Sequence, residues 1–389
     1  MTSPEDLQRS LNSAVASGQV PYVVAMVGNT AGVLWHGTAG RCVEDGPEAN
    51  LNTVFRIVSM SKAIGSTAAL ILADRGILDW DMPVDEVLPE FGKLRILDAY
   101  GAAGASLRVP SRRATLRHLA SHTSGLAYEF WDEELGRYLQ DTGIPSIVSG
   151  RLAGLNYPLR FDPGNCWQYG GGVDWLGMAV AALDGRRIDQ FCREEIFIPL
   201  GMSSTEFELS ASLHSRLGQV FARSEDSFVG ASFDLDPPNS PEFYGMGHAL
   251  YSTAPDYLRF LRMWLGYGQL DGVRILKQTT VVDALRNQIG DLRLEARRSA
   301  FPPATADLDI LHDIEKTHGL AFARVEQDVP GRRAAGSQFW GGVLNTHFWL
   351  DPKNDRAGLF MTQALPFLDA SIMDAFANFE ISAYTLESP

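Results

Sequence analysis

Ser59 and Lys62 stand three residues apart where an apolar stretch (54–58) gives way to a helical pattern from Met60 to Ala73, with Gly76 just past its end. On a helix, residues three apart share a face, so the two side chains point the same way. A serine hydroxyl is a weak nucleophile until a base takes its proton. A desolvated lysine amine beside it can take that proton or tune the group that does. Free N–H groups at a helix start favour the negative charge that develops on an attacked carbonyl. S-x-x-K spacing by itself also describes a capping serine followed by a solvated lysine. The context separates the two readings: from Ala63 to Leu72 there is no charged residue, which makes Lys62 a lone charge in an otherwise buried stretch.

Two further clusters carry chemistry. A Pro163-Gly164 turn leads through Cys166, Trp167 and Gln168 to Tyr169 and three glycines, Gly170 to Gly172. A phenol beside an ammonium group is shifted toward its ionised form and can then act as a general base and acid. An aromatic packed under a loop is the structural alternative. Near the C-terminus, Gln338-Phe339-Trp340-Gly341-Gly342-Val343 places two glycines in a strand pattern. Such glycines mark the close approach of a ligand or another backbone, or a bulge. A strand edge stripped of side chains can offer a backbone N–H to a carbonyl oxygen, half of an oxyanion hole.

The elements that must position these groups can be read in order. A helix is expected over 4–18, with Ser3 as N-cap and Pro4 in its first turn, followed by a hairpin of strands 22–27 and 33–37. After the serine helix, residues 92–113 read as loop. A short helix over 115–120 breaks at Ser121-His122-Thr123-Ser124-Gly125, and from there to about 230 the patterns are mostly helical. An acidic, proline-containing connection covers 225–242. Helical periodicity returns at 254–265, and 288–316 is poorly patterned. Short strands are expected at 319–325, 331–336, 343–350 and 358–362, then a last helix over 368–386. The expected organisation is one mixed α+β domain from residues 1–85 and 243–389, with a mainly helical domain, 86–242, inserted and the active site between them.

Composition narrows the function classes. With 389 residues, 45% of them hydrophobic and 21% charged, the chain reads as a soluble globular protein of more than one domain. A net charge of −14 argues against nucleic acid and anionic membrane surfaces as partners. Cys42, Cys166 and Cys192 are far apart and form neither a disulfide framework nor a zinc pattern. The polar start and the lack of a long apolar run make the cytoplasm the expected compartment.

Ser59-x-x-Lys62, Tyr169 about a hundred residues on, and Trp340-Gly341-Gly342-Val343 resemble, in order and spacing, the serine hydrolases of the class C β-lactamase and penicillin-binding-protein fold. Among these the family VIII carboxylesterases are most similar. Residues 117–126, 163–177 and 199–202 support the resemblance, which covers nearly the whole chain and is least clear over 288–330. It implies a β-lactamase/transpeptidase-like fold, an antiparallel sheet flanked by helices. It further implies Ser59 as nucleophile, Lys62 as its activating partner, and Tyr169 as general acid/base. The backbone N–H groups of Ser59 and Val343 would form the oxyanion hole. Tyr128 would be a second active-site tyrosine, bordering substrate with Trp340, Gly341 and Gly342. No cofactor or metal is expected, and the partner would be a small-molecule ester.

Two departures from the β-lactamase pattern bear on substrate. Gly171 stands where those enzymes carry an Asn two residues after the tyrosine, and Trp340-Gly341-Gly342 stands where they carry Lys-Thr-Gly. The lost amide and charge favour an uncharged ester over a β-lactam. Weak β-lactamase activity and acyl transfer to an alcohol remain alternatives on the same site, and a non-catalytic binding protein of this fold is a more distant one. The G-x-S-x-G elbow of the α/β-hydrolases does not occur. His118 and His122 have metal-ligand spacing without a following glutamate, and the other histidines are scattered. Asp162 and Asp174 read as turn and helix-surface carboxylates.

Overall fold

The computed structural model describes residues 3–232 and 238–386; part of the expected 225–242 connection, residues 233–237, lies outside them. Seven strands pair into one sheet: β1 (Val23–Gly28), β2 (Val33–Ala39), β3 (Lys316–His318), β4 (Ala323–Val325), β5 (Gln338–Gly342), β6 (Thr346–Asp351) and β7 (Arg356–Met361). Their order is β3-β4-β5-β6-β7-β1-β2, and every neighbouring pair is antiparallel. The register Val24↔Met361 to Gly28↔Ala357 joins the N-terminal hairpin to the last strand, so both chain ends build the sheet. Asn29 closes that hairpin by accepting the N–H groups of Ala31 and Gly32 at 3.0 and 2.9 Å.

Five longer helices matter to the site: α1 (Pro4–Ala16), α2 (Ser61–Asp74), α3 (Gly172–Asp184), α4 (Ala254–Leu265) and α5 (Ala370–Tyr384). Alternation along β6 decides which face they cover. Trp349 packs on Phe376 and Phe379 of α5, with ring centroids 5.9 and 5.8 Å apart. Its neighbour Phe348 points the other way, to Tyr257 of α4 at 5.5 Å. Trp35 of β2 meets Phe379 at 5.8 Å and donates its indole N–H to the Pro4 carbonyl, which puts α1 beside α5. On the opposite face, the Tyr257 hydroxyl donates to the Met60 carbonyl at 2.9 Å, tying α4 and the sheet to the start of α2. Helix α2 is buried from Ser61 to Leu72 and packs on α3. Full burial of each of Ile64, Leu70, Ile71 and Leu72 contributes roughly 1.5–3 kcal/mol.

The structure departs from the expected elements in four places. The strand expected over 319–325 is instead two short paired strands, β3 and β4, turning at residues 319–322. Residues 92–113 are not a loop: Ile96–Gly101 and Gly104–Arg108 form a hairpin. Only its base, Ile96 and Leu97, is buried, so the apolar alternation that marks a strand is missing. Ion pairs from Arg108 to Asp162 and Asp98, at 2.7 and 2.9 Å, hold it instead. A second hairpin, Val220–Ser224 with Ser227–Ala231, interrupts the stretch expected to be helical. Residues 331–336 form a turn in place of a strand, because Arg333, 1% exposed, reaches back to Glu380 of α5. Among the described residues no helix is long and apolar enough to cross a membrane.

Candidate active site

Phe55–Arg56 pairs with Tyr251–Ser252, and the chain then enters α2 through a 3₁₀ turn, Val58–Met60. Val58 holds φ +42°, a left-handed conformation that costs a β-branched residue on the order of 1–3 kcal/mol. Neighbouring bonds impose it. The Ile57 N–H donates to the Leu250 carbonyl at 3.1 Å, the Met60 N–H to the Ile57 carbonyl at 3.0 Å, and the Leu250 N–H to Ser61 Oγ at 3.2 Å. The turn presents Ser59 half-buried at the end of α2, while Lys62, one turn in, is 3% exposed.

Lys62 Nζ lies 3.3 Å from Ser59 Oγ, 3.0 Å from the Tyr128 hydroxyl and 2.8 Å from the Gly247 carbonyl. It also stands over the rings of Tyr169 and Tyr128, 4.8 and 5.0 Å from their centroids. As an ammonium, its three N–H groups all find oxygen acceptors. As a neutral amine, two N–H groups keep Tyr128 and Gly247 and the lone pair faces the serine hydroxyl. Both protonation states are therefore satisfied in a buried place where an unpartnered charge would be costly.

The Tyr128 N–H donates to the Tyr169 carbonyl at 3.1 Å, and their rings meet at 5.1 Å. Burial, helped by the Asp174 charge, pushes the Tyr128 phenol well above its usual range and keeps it protonated. The Tyr169 hydroxyl accepts the Trp340 indole N–H at 3.2 Å, with the rings 4.8 Å apart. Behind Tyr169, the His122 ring is 5.0 Å from it and 5.1 Å from His318. Burial, then the charges of His318 and Lys62, hold His122 well below the ordinary histidine value, and burial brings His318 down to about 4. Both are neutral packing rings near pH 7.

Strand β5 ends against the serine turn. A Cβ on Gly342 would collide with the Ile57 carbonyl, so glycine is what lets the strand come this close. Val343 follows at the start of a tight turn, in which Asn345 has φ +60°. Ser59, Tyr128, Tyr169 and Val343 share one cleft with Phe130, Trp131, Val148 and Leu250, a mainly apolar wall. Trp340 is behind Tyr169, where it borders a separate depression with Trp167 and Phe339. Gly341 and Gly342 are buried within the strand. A larger surface cavity of about 690 Å³, near Arg187, Phe197 and Tyr244, contains none of these residues.

Sequence reasoning missed one wall of the site. Gly247 supplies the carbonyl on Lys62, and Asp174, expected on a helix surface, is 0% exposed and accepts the Gly247 N–H at 2.8 Å. Gly245-Met246-Gly247-His248 just ahead of the short strand Tyr251–Ser252 was the available signal. At Gly171 an added Cβ would collide with Ile147, which fills the space an asparagine side chain would need.

An antiparallel sheet with a serine and a buried lysine one helical turn apart against the end of β5 defines an enzyme of the serine acyltransferase and hydrolase superfamily, of the β-lactamase/transpeptidase-like fold. The chain belongs to the β-lactamase family, whose family model matches residues 7–382. It is 28% identical to monacolin J acid methylbutanoyltransferase of Aspergillus terreus, over 97% of this chain and 95% of that protein. It is likewise 28% identical to lovastatin esterase of Penicillium rubens, over 83% of this chain and 82% of the esterase. Among solved structures, a mutant simvastatin synthase from Aspergillus terreus superposes with a TM-score of 0.82 at 26% identity, covering 97% of this chain and 96% of that one.

Proposed function

We propose that the protein is a carboxylesterase-type serine hydrolase of the family VIII kind, working through an acyl-enzyme on Ser59. The observation that carries this reading is the buried Lys62 amine 3.3 Å from Ser59 Oγ with its remaining hydrogens engaged. The serine oxygen adds to the ester carbonyl as its proton passes to Lys62. The oxyanion is met by the backbone N–H groups of Ser59 and Val343. Tyr169, under the amine, protonates the departing alkoxide as the acyl–oxygen bond breaks. Water then enters by the reverse proton path and releases the acid. Tyr128 borders the substrate, and Trp340 acts from behind through Tyr169. Gly341 and Gly342 carry the strand that leads to Val343, and the mainly apolar cleft suits an uncharged ester. The cytoplasm as compartment, and the division into 1–85 with 243–389 and an inserted 86–242, belong to the same proposal.

Acyl transfer to an alcohol other than water is a second reading, favoured by the near full-length similarity to a methylbutanoyltransferase. One experiment separates the readings: p-nitrophenyl esters of graded acyl length with nitrocefin alongside, then repeated with an alcohol acceptor. Acid as the main product supports the esterase, and a new ester that grows with acceptor concentration supports the transferase. With Gly171 and Trp340 in place, kcat/KM for the best ester should exceed that for nitrocefin by about 100-fold or more. Equal values would overturn the ester reading.

A further inference from the structure

Asp174 sits in the first turn of α3, fully buried, and the reaction described above makes no use of it. Its Oδ1 accepts the Gly247 N–H at 2.8 Å, while the carbonyl of the same residue accepts from Lys62 Nζ at 2.8 Å. One residue of backbone therefore links a buried carboxylate to the buried amine that faces Ser59. The chain wraps the carboxylate closely. A Cβ on Gly247 would collide with Oδ2, and one on Gly245 would fall against the His248 ring and Oδ1. His248 Nδ1 stands 3.5 Å from Oδ1, and neither its ring nitrogens nor Asp174 Oδ2 have a hydrogen-bond partner among the described residues. The bond to Gly247 is thus the polar contact that fixes this carboxylate.

Two glycines in four residues leave the 245–248 turn with wide backbone freedom. A hydrogen bond to an ionised acceptor is roughly twice as strong as a neutral one, which suits it to pin such a turn. The Gly247 carbonyl belongs to the following peptide, whose own N–H on His248 donates to the Gly245 carbonyl at 3.3 Å. The Asp174 bond pins the other side of the same glycine, and the carbonyl meets Lys62 Nζ. We propose that Asp174 is a positioning residue for the reaction: its carboxylate, acting through the Gly247 backbone, holds the carbonyl that aims Lys62 at Ser59. The inference rests on the reading of Ser59 and Lys62 given above.

The test compares Asp174→Ala and Asp174→Asn by kcat per active site, with sites counted by labelling to completion with a fluorophosphonate. Asp174→Ala should lower kcat per labelled site by about 10- to 100-fold with KM within about twofold, the scale of a misplaced catalytic group. Asp174→Asn keeps an oxygen for the Gly247 N–H and should recover to within about fivefold of wild type. A role confined to folding would lower Tm and the labelled fraction and leave kcat per labelled site unchanged. That result, or an Asn variant as slow as the Ala variant, overturns the proposal. Should Asp174→Ala not fold, Asp174→Val, similar in volume and lacking an acceptor, is read in its place. Failure of both to fold makes the role structural and also overturns it. Ser59→Ala runs alongside: turnover retained there defeats the Ser59 reading, whereas a dead Ser59→Ala with an unaffected Asp174→Ala defeats only the positioning role.

Discussion

Lys62 is aimed at Ser59 by two oxygens, those of Tyr128 and Gly247, and Tyr169 lies beneath it with its hydroxyl on Trp340. Under the proposed mechanism, Tyr169→Phe removes the proton donor to the leaving group and should lower kcat by roughly 10²-fold or more. Lys62→Arg should do no better, since a guanidinium cannot give up its proton. Steady-state turnover of a p-nitrophenyl ester reads both, and a Tyr169→Phe enzyme near wild type would remove Tyr169 from the mechanism. His318 makes a different, pH-dependent contribution. Its folded value, about 4 through burial, is below the 6.5 of an unfolded histidine. The unfolded chain thus binds a proton that the folded chain refuses, and stability falls as pH drops from about 6.5 to 4. The stabilisation is complete above that window and amounts to ~3 kcal/mol for one such group. Replacing the ring by His318→Phe should flatten the decline in Tm over this range. An unchanged acid profile would contradict the assignment.

At the scale of elements, the approach of β5 to the serine turn depends on a missing side chain. Gly342→Ala would push its Cβ into the Ile57 carbonyl and drive the strand away from Ser59. If Val343 supplies an oxyanion donor, the displacement should cost about 10²- to 10³-fold in kcat, with a smaller effect on KM. Fluorophosphonate labelling of Ser59 should slow in parallel. A Gly342→Ala enzyme with wild-type kcat would show that this strand edge does not touch the transition state. The strained Val58 turn has the same logic, since two hydrogen bonds to Leu250 hold it from outside its own segment.

For the whole molecule, the sheet is assembled from both chain ends and α5 covers one of its faces. Within that contact, Arg333 and Glu380 are buried together, with N–O distances of 2.7 and 2.6 Å. Removing one partner strands the other charge in an apolar setting, so Glu380→Ala should destabilise by about 3–5 kcal/mol. Urea denaturation measures that loss. Turnover per labelled site should stay unchanged at a temperature where the variant is folded, because α5 lies on the face away from Ser59. A drop in kcat per site would show that the sheet transmits the disturbance to the site.

The pairing of Ser59 with Lys62 was legible in the sequence because helical spacing and an uncharged run are local features. The hairpin at the N-terminus, the helix carrying Lys62 and the glycine strand near 341 were legible for the same reason, each signalled by its own residues. Elements held by distant charges were not: Arg108 with Asp162 makes a hairpin, and Arg333 with Glu380 a turn, where local pattern pointed elsewhere. The same limit applies in the site. Gly247 lies 185 residues from the lysine it contacts, and Asp174 lies 73 residues from the glycine it holds. Composition and periodicity report what a segment can become on its own. Which carbonyl turns toward Lys62, which valine accepts a strained φ and which carboxylate loses its water are decided only when segments far apart in the chain pack together.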